Sequence, residues 1–148
     1  MLDHLRVGCD VPEELTGTWR LVSYQLREAD GRVAYPLGER ANGLIIYDHS
    51  GNVSVHLLNP NPPQRTTPPN DGMSDEMRGT YERYSSYFGR YSVDVAQRRI
   101  AHHLTGGTLA EWSGQTWVRD YRLDGDRLVL SADVPHSGQC AILEWDRA

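Results

Sequence analysis

His102 and His103 stand side by side in the run Ile100-Ala101-His102-His103-Leu104. Imidazole is the side chain whose ordinary pKa lets it give or take a proton near neutral pH. On an extended chain neighbouring side chains point to opposite faces, so only one of the two histidines can look inward. His102 shares its parity with Ile100 and Leu104 and is the inward candidate. There it would donate to or accept from a substrate carbonyl. The competing reading is a core histidine satisfied by a backbone or tyrosine group, as buried polar groups usually are. Two adjacent histidines on a strand cannot chelate one ion, and no His-x-His or paired-carboxylate spacing occurs, so no metal is expected.

Arg119 is the second candidate. It alternates with Trp117, Tyr121 and Leu123, and a guanidinium between aromatics can orient a carboxylate, enolate or tetramate-like oxygen. A register slip of one residue would replace these side chains by Val118 and Asp120. The chain has 8 Tyr and 4 Trp against a single Phe, which suits an apolar pocket with a few hydrogen-bonding tips. His102 and Arg119 are therefore the expected catalytic pair. Tyr24, Tyr47, His56, Tyr87, Tyr91, Trp117 and Tyr121 are the expected substrate-binding set. Amphipathic aromatics suit any small barrel, so each tyrosine taken singly has a structural reading beside the functional one.

Other chemistries find no support. All 15 basic residues are arginine, so a lysine Schiff base, a lysine-anchored pyridoxal phosphate and a Walker-type phosphate loop are excluded. There is no Gly-x-Ser-x-Gly elbow, and Cys140 falls mid-strand, where it reads as a small core residue. Two cysteines, Cys9 and Cys140, make neither a disulfide framework nor a cysteine metal site. A formal net charge of −5 argues against nucleic acid. No apolar run reaches membrane-spanning length, and residues 1–10 lack the pattern of a signal peptide, so a cytoplasmic location is expected. No cofactor is expected, and a homodimer is left open.

The elements that must position these residues are strands. A chain of 148 residues is expected to form one domain, with residues 1–14 as a lead-in. Strand patterns run over 18–28, 44–47, 52–58, 90–95, 99–105, 115–123, 127–132 and 139–145. Val53, Val55 and Leu57 alternate with Asn52, Ser54 and His56. Residues 59–73 hold five prolines and no apolar period, so they read as a loop that could form a lid. Residues 74–88 read as the one helix, capped by Ser74 and stopped by Gly89, with Met77, Tyr81, Tyr84 and Phe88 as a sticky stripe. Eight strands joined mostly by short turns predict an all-β, up-and-down antiparallel barrel.

Gly17-Thr18-Trp19-Arg20-Leu21-Val22-Ser23-Tyr24, the turn Asp30-Gly31-Arg32-Val33, Gly43-Leu44-Ile45-Ile46-Tyr47, Tyr87-Phe88-Gly89-Arg90-Tyr91, His102-His103 and Leu123 to Leu130 together resemble the bacterial lipocalin-like domain family. The resemblance runs from Leu15 to Arg147. It implies an eight-stranded lipocalin-like barrel that binds a small molecule, and related barrels include natural-product cyclases. It also implies an arginine that closes one end by stacking on Trp19, a second reading for Arg119. The expected function is a cofactor-free cyclase or isomerase that folds a hydrophobic, polyketide-like polyene, with a pericyclic step driven by confinement. The alternative is a non-catalytic carrier of a small hydrophobic metabolite.

Overall fold

Among the described residues the fold has nine antiparallel strands: β1 (Gly17–Arg27), β2 (Val33–Ala34), β3 (Asn42–Tyr47), β4 (Asn52–Leu58), β5 (Tyr84–Asp94), β6 (Arg99–Gly107), β7 (Thr116–Asp124), β8 (Arg127–Val134) and β9 (Gln139–Arg147). The computed structural model describes residues 11–62 and 82–148. Strand β2 pairs only with the last two residues of β1, Leu26 and Arg27. The other eight follow the order β1-β3-β4-β5-β6-β7-β8-β9, and β9 returns to pair with β1. The result is the closed up-and-down barrel expected from the sequence, and it leaves no edge among those eight strands.

One end is sealed. Trp19 is fully buried, and its indole N–H donates to the carbonyl of Leu15 at 3.0 Å, in the short 3₁₀ turn Glu13–Leu15. Because β9 runs antiparallel to β1, its last residue, Arg147, falls opposite Trp19. The Arg147 guanidinium lies 4.1 Å from the Trp19 ring centroid and donates to the carbonyls of Thr16 (3.0 Å) and Glu14 (2.6 Å). Gly17 stands between them at φ +120, where a Cβ would come 3.1 Å from Arg147 Nη1. The Gly-x-Trp spacing therefore has a local cause: glycine gives the chain its bend and the arginine its room. Above this plug lies a layer of buried side chains including Tyr47, Tyr91, Ile100, Leu128 and Trp145.

The structure departs from the sequence reading between β4 and β5. Residues 84–88 are strand, not helix, and pair with β4 from Leu58↔Tyr84 to Ser54↔Phe88. Residues 63–81, which carry most of the expected loop and helix, lie outside the described residues. Tyr84 and Phe88 share the outward face of the strand, and Phe88 is 56% exposed. Alternation of Ser85, Tyr87, Gly89, Tyr91 and Val93 supplies the inward face instead. Gly89 does not end a helix: a Cβ there would fall 2.0 Å from the carbonyl oxygen of His103, so it permits close approach of β5 and β6.

Arg147 supplies a test of this closure. Arg147→Ala removes the stack on Trp19 and two charge-assisted hydrogen bonds. It should lower unfolding stability by about 2–4 kcal/mol, read from the urea midpoint at unchanged m-value. A loss under about 0.5 kcal/mol, the range of ordinary surface changes, would contradict the closing role.

Candidate functional site

Inside the barrel is a cavity of about 410 Å³ to which all eight strands of the ring contribute. Tyr24 comes from β1, Ile45 from β3, Val55 and Leu57 from β4, and Tyr87 from β5. His102, Arg119, Leu130 and Leu143 come from β6, β7, β8 and β9. Pro36, Leu37, Glu82, Trp112 and Pro135 also line it. These lie on the four connections at the end of the barrel away from Trp19, so the cavity extends toward that end. The walls are mainly aliphatic and aromatic, and Glu82 and Arg119 are the charged side chains among the described residues that line it.

A β-bulge decides one wall. The β1–β9 register shifts between Leu21 and Ser23, so Val22 is extra and turns outward. Parity reverses beyond it, and Tyr24 faces inward where unbroken alternation from Trp19 would have placed Ser23 and Gln25. Strand β7 has no such break. Trp117, Arg119, Tyr121 and Leu123 share the inner face, and Val118 and Asp120 point out. On β6 the inward histidine is His102, 1% exposed, as its parity predicts. His103 is outside, in contact with Ser92 Oγ and Thr116 Oγ1.

His102 is held by two tyrosines. Its Nε2 lies 2.8 Å from Tyr47 Oη and its Nδ1 lies 2.7 Å from Tyr87 Oη. Burial, reinforced by the nearby positive charge of Arg119 and by His103, pushes its pKa down to about 3. Burial likewise raises Tyr47 and Tyr87 well above the ordinary phenol range. All three groups are therefore neutral at pH 7, and their exchange is of hydrogen bonds rather than charge. His102 is thus a satisfied core histidine whose ring also lines the cavity.

Five of the nine expected site residues line the cavity: Tyr24, Tyr87, His102, Trp117 and Arg119. Tyr47 and Tyr91 lie below it, with ring centroids 4.7 Å apart. Tyr91 donates to the Asp48 carbonyl in the β3–β4 turn at 2.8 Å, and burial, with the Asp48 charge second, pushes its pKa up to about 12. Tyr121 belongs to the buried core and not to the cavity wall. His56 is a correction: it points outward with Ser54, and its Nδ1 lies 2.6 Å from Tyr84 Oη. Of the two readings of Arg119, stacking on Trp19 is set aside, since the arginine there is Arg147 and Arg119 lies 5.6 Å from the Trp117 ring centroid. Cys140 pairs with Arg27 and Asp133 on the outward parity of β9, so it is not a core residue.

Trp112 and Trp145 are lining residues that the sequence reading did not name. Trp112, Trp117 and Tyr87 form an edge-to-face cluster with centroids 5.0 to 6.4 Å apart. Trp145 was legible: Leu143, Trp145 and Arg147 alternate, and the last of them had to meet Trp19. Among the described residues no group of three or more His, Cys, Asp or Glu side chains gathers as a metal ion would require. No helix among them is long and apolar enough to cross a membrane.

The model of the lipocalin-like domain matches residues 16–148. The chain belongs to the lipocalin-like domain family. Solved structures of similar fold include a lipocalin-like protein from Bacteroides uniformis, at 18% identity and a TM-score of 0.48, spanning 91% of this chain and 99% of that one. The fluorescent protein UnaG aligns at 12% identity and a TM-score of 0.43 over 92% of this chain and 98% of its own. A fatty acid transporter, REP1-NXSQ, aligns at 13% identity and a TM-score of 0.41 over 93% and 98%. No curated protein matches the sequence.

The depressed His102 pKa predicts a stability slope in acid. The unfolded chain takes up a proton near pH 6.5, whereas the folded imidazole stays neutral down to about pH 3. Stability contributed by this group is full above about pH 6.5 and falls as pH drops through that window, by about 1.4 kcal/mol per pH unit. Urea unfolding of His102→Gln across pH 6.5 to 4 should show a shallower slope than the parent by about that amount. Equal slopes would mean that His102 titrates normally in the folded protein.

Proposed function

We propose that the protein binds one small, predominantly apolar molecule inside the barrel. The observation that carries this reading is the cavity of about 410 Å³, within the size range of small-molecule sites, with aliphatic and aromatic walls and few polar tips. A barrel filled by its own side chains would have no such space. The polar tips are gathered rather than scattered: Tyr87, His102 and Arg119 come from three consecutive strands. A ligand can therefore be oriented by one polar end and buried by its apolar remainder.

The same grouping favours a second reading, a cofactor-free cyclase or isomerase acting on a hydrophobic polyketide-like polyene. Donors aimed at one carbonyl lower the barrier of a pericyclic step without a nucleophile or a metal, and confinement supplies the reactive conformer. His102, whose two nitrogens are engaged by Tyr47 and Tyr87, would act there by orienting the Tyr87 hydroxyl and not by proton transfer.

The neutral fluorophore N-phenyl-1-naphthylamine tests binding. It should brighten saturably at one equivalent, and Leu143→Trp, which fills the cavity from β9, should weaken it at least about tenfold, or 1.4 kcal/mol, at near-parental melting temperature. Undiminished binding by a folded Leu143→Trp would put the probe elsewhere and remove the reading. Conversion of a bound polyene into an isomer of equal mass, only with protein present, would select the catalytic form. A bound and unchanged molecule selects the carrier.

A further inference from the structure

A neutral imidazole has one N–H and one bare nitrogen, so it can donate only once. Both nitrogens of His102 meet tyrosine hydroxyls, Nε2 with Tyr47 at 2.8 Å and Nδ1 with Tyr87 at 2.7 Å. One hydroxyl must then donate to the ring while the other accepts from it, and the accepting hydroxyl keeps its own proton to give elsewhere. Tyr47 is 1% exposed, walled by the rings of Tyr91 and His102. Were Tyr47 the acceptor, its proton would be buried with no second partner, the costly case for a polar group. Tyr87 lines the cavity. The chain of hydrogen bonds therefore runs from Tyr47 O–H to Nε2, and from Nδ1–H to Tyr87 Oη. The proton of Tyr87 is directed to the cavity.

A further donor, the Arg119 guanidinium, lines the same space. Arg119 spends one N–H on the carbonyl of Val118 at 3.2 Å, which leaves most of its five donors for other partners. No carboxylate among the described residues is in ion-pair contact with it. Glu82, the other charged lining residue, lies at the end away from Trp19 and is engaged in interactions of its own. The interior thus offers donors, one of them cationic, to whatever enters.

We infer that the ligand is an oxygen acid, a carboxylate or an acidic enol on an apolar body, with its anionic oxygen held by Arg119 and the Tyr87 hydroxyl. This deepens the ligand-binding reading and rests on it. A neutral alcohol or ester would leave the guanidinium facing an apolar partner. An acid meets a charge-assisted donor and a hydroxyl whose direction is set from behind by His102.

The test is displacement of N-phenyl-1-naphthylamine from the full chain at pH 7 by dodecanoate, 1-dodecanol and methyl dodecanoate. Dodecanoate should bind at least about tenfold more tightly than the other two. Arg119→Met and Tyr87→Phe should each lower the acid's affinity by about tenfold and change the alcohol's by less than about twofold. An ionised 2-acyl-cyclohexane-1,3-dione run alongside tells an acidic enol from a carboxylate, by whichever acid binds more tightly. Equal affinity for acid and alcohol, or an acid preference that survives both substitutions in folded variants, overturns the assignment. Alcohol binding would then still support the ligand-binding reading. Failure of all three compounds to displace the probe, with Leu143→Trp unable to weaken it, overturns both. In the imidazole ¹⁵N spectrum Nδ1 should carry the proton of His102, and a proton on Nε2 would overturn the donor role of Tyr87.

Discussion

The ladder between β1 and β9 is the constraint on which the rest depends. It joins Trp19 to Arg147 at one end and Arg27 to Cys140 at the other, turning a meander of hairpins into a ring. Closure removes the strand edges, and it also divides every strand into a face toward solvent and a face toward a shared interior. The plug of Trp19, Leu15 and Arg147 then seals one end. Because that end is filled by buried side chains, the free volume of the interior gathers in the upper barrel, where the cavity lies.

Burial explains the chemistry of the interior's polar groups. In a closed barrel a charged imidazole would lose its hydration, and Arg119 adds a like charge. His102 is accordingly neutral, and its two nitrogens are satisfied by neutral phenols. Neutrality makes the trio directional: each hydrogen bond fixes the next, from the floor of the barrel to the cavity wall. The aromatic cluster of Tyr87, Trp112 and Trp117 then packs around the outermost member of that chain, toward the end away from Trp19.

Most of the architecture was legible because alternation is a local signal. The parity of His102 against Ile100, and of Arg119 against Trp117 and Tyr121, carried the inward faces of β6 and β7 without knowledge of their partners. What escaped the sequence was set by distant pairing. The Tyr84–Phe88 segment carries both a spacing of four and an alternation of two, and only the ladder to β4 decides between them. The bulge at Val22 arises from the β9 register, so no pattern local to β1 dictates the inward turn of Tyr24. His56 was assigned to the ligand for its chemistry although its own strand alternates the other way, and the alternation held. The arginine on Trp19 was sought on β7, yet antiparallel closure made the last inward residue of β9 its natural source.

The central claim is that the space above the Trp19 plug holds a small molecule. Native mass spectrometry of the protein recovered from cells that naturally make it tests this most directly. The account predicts a complex carrying one small molecule, released when the barrel is unfolded in acid. Bare protein mass, from a barrel that also takes up no apolar probe, would contradict it.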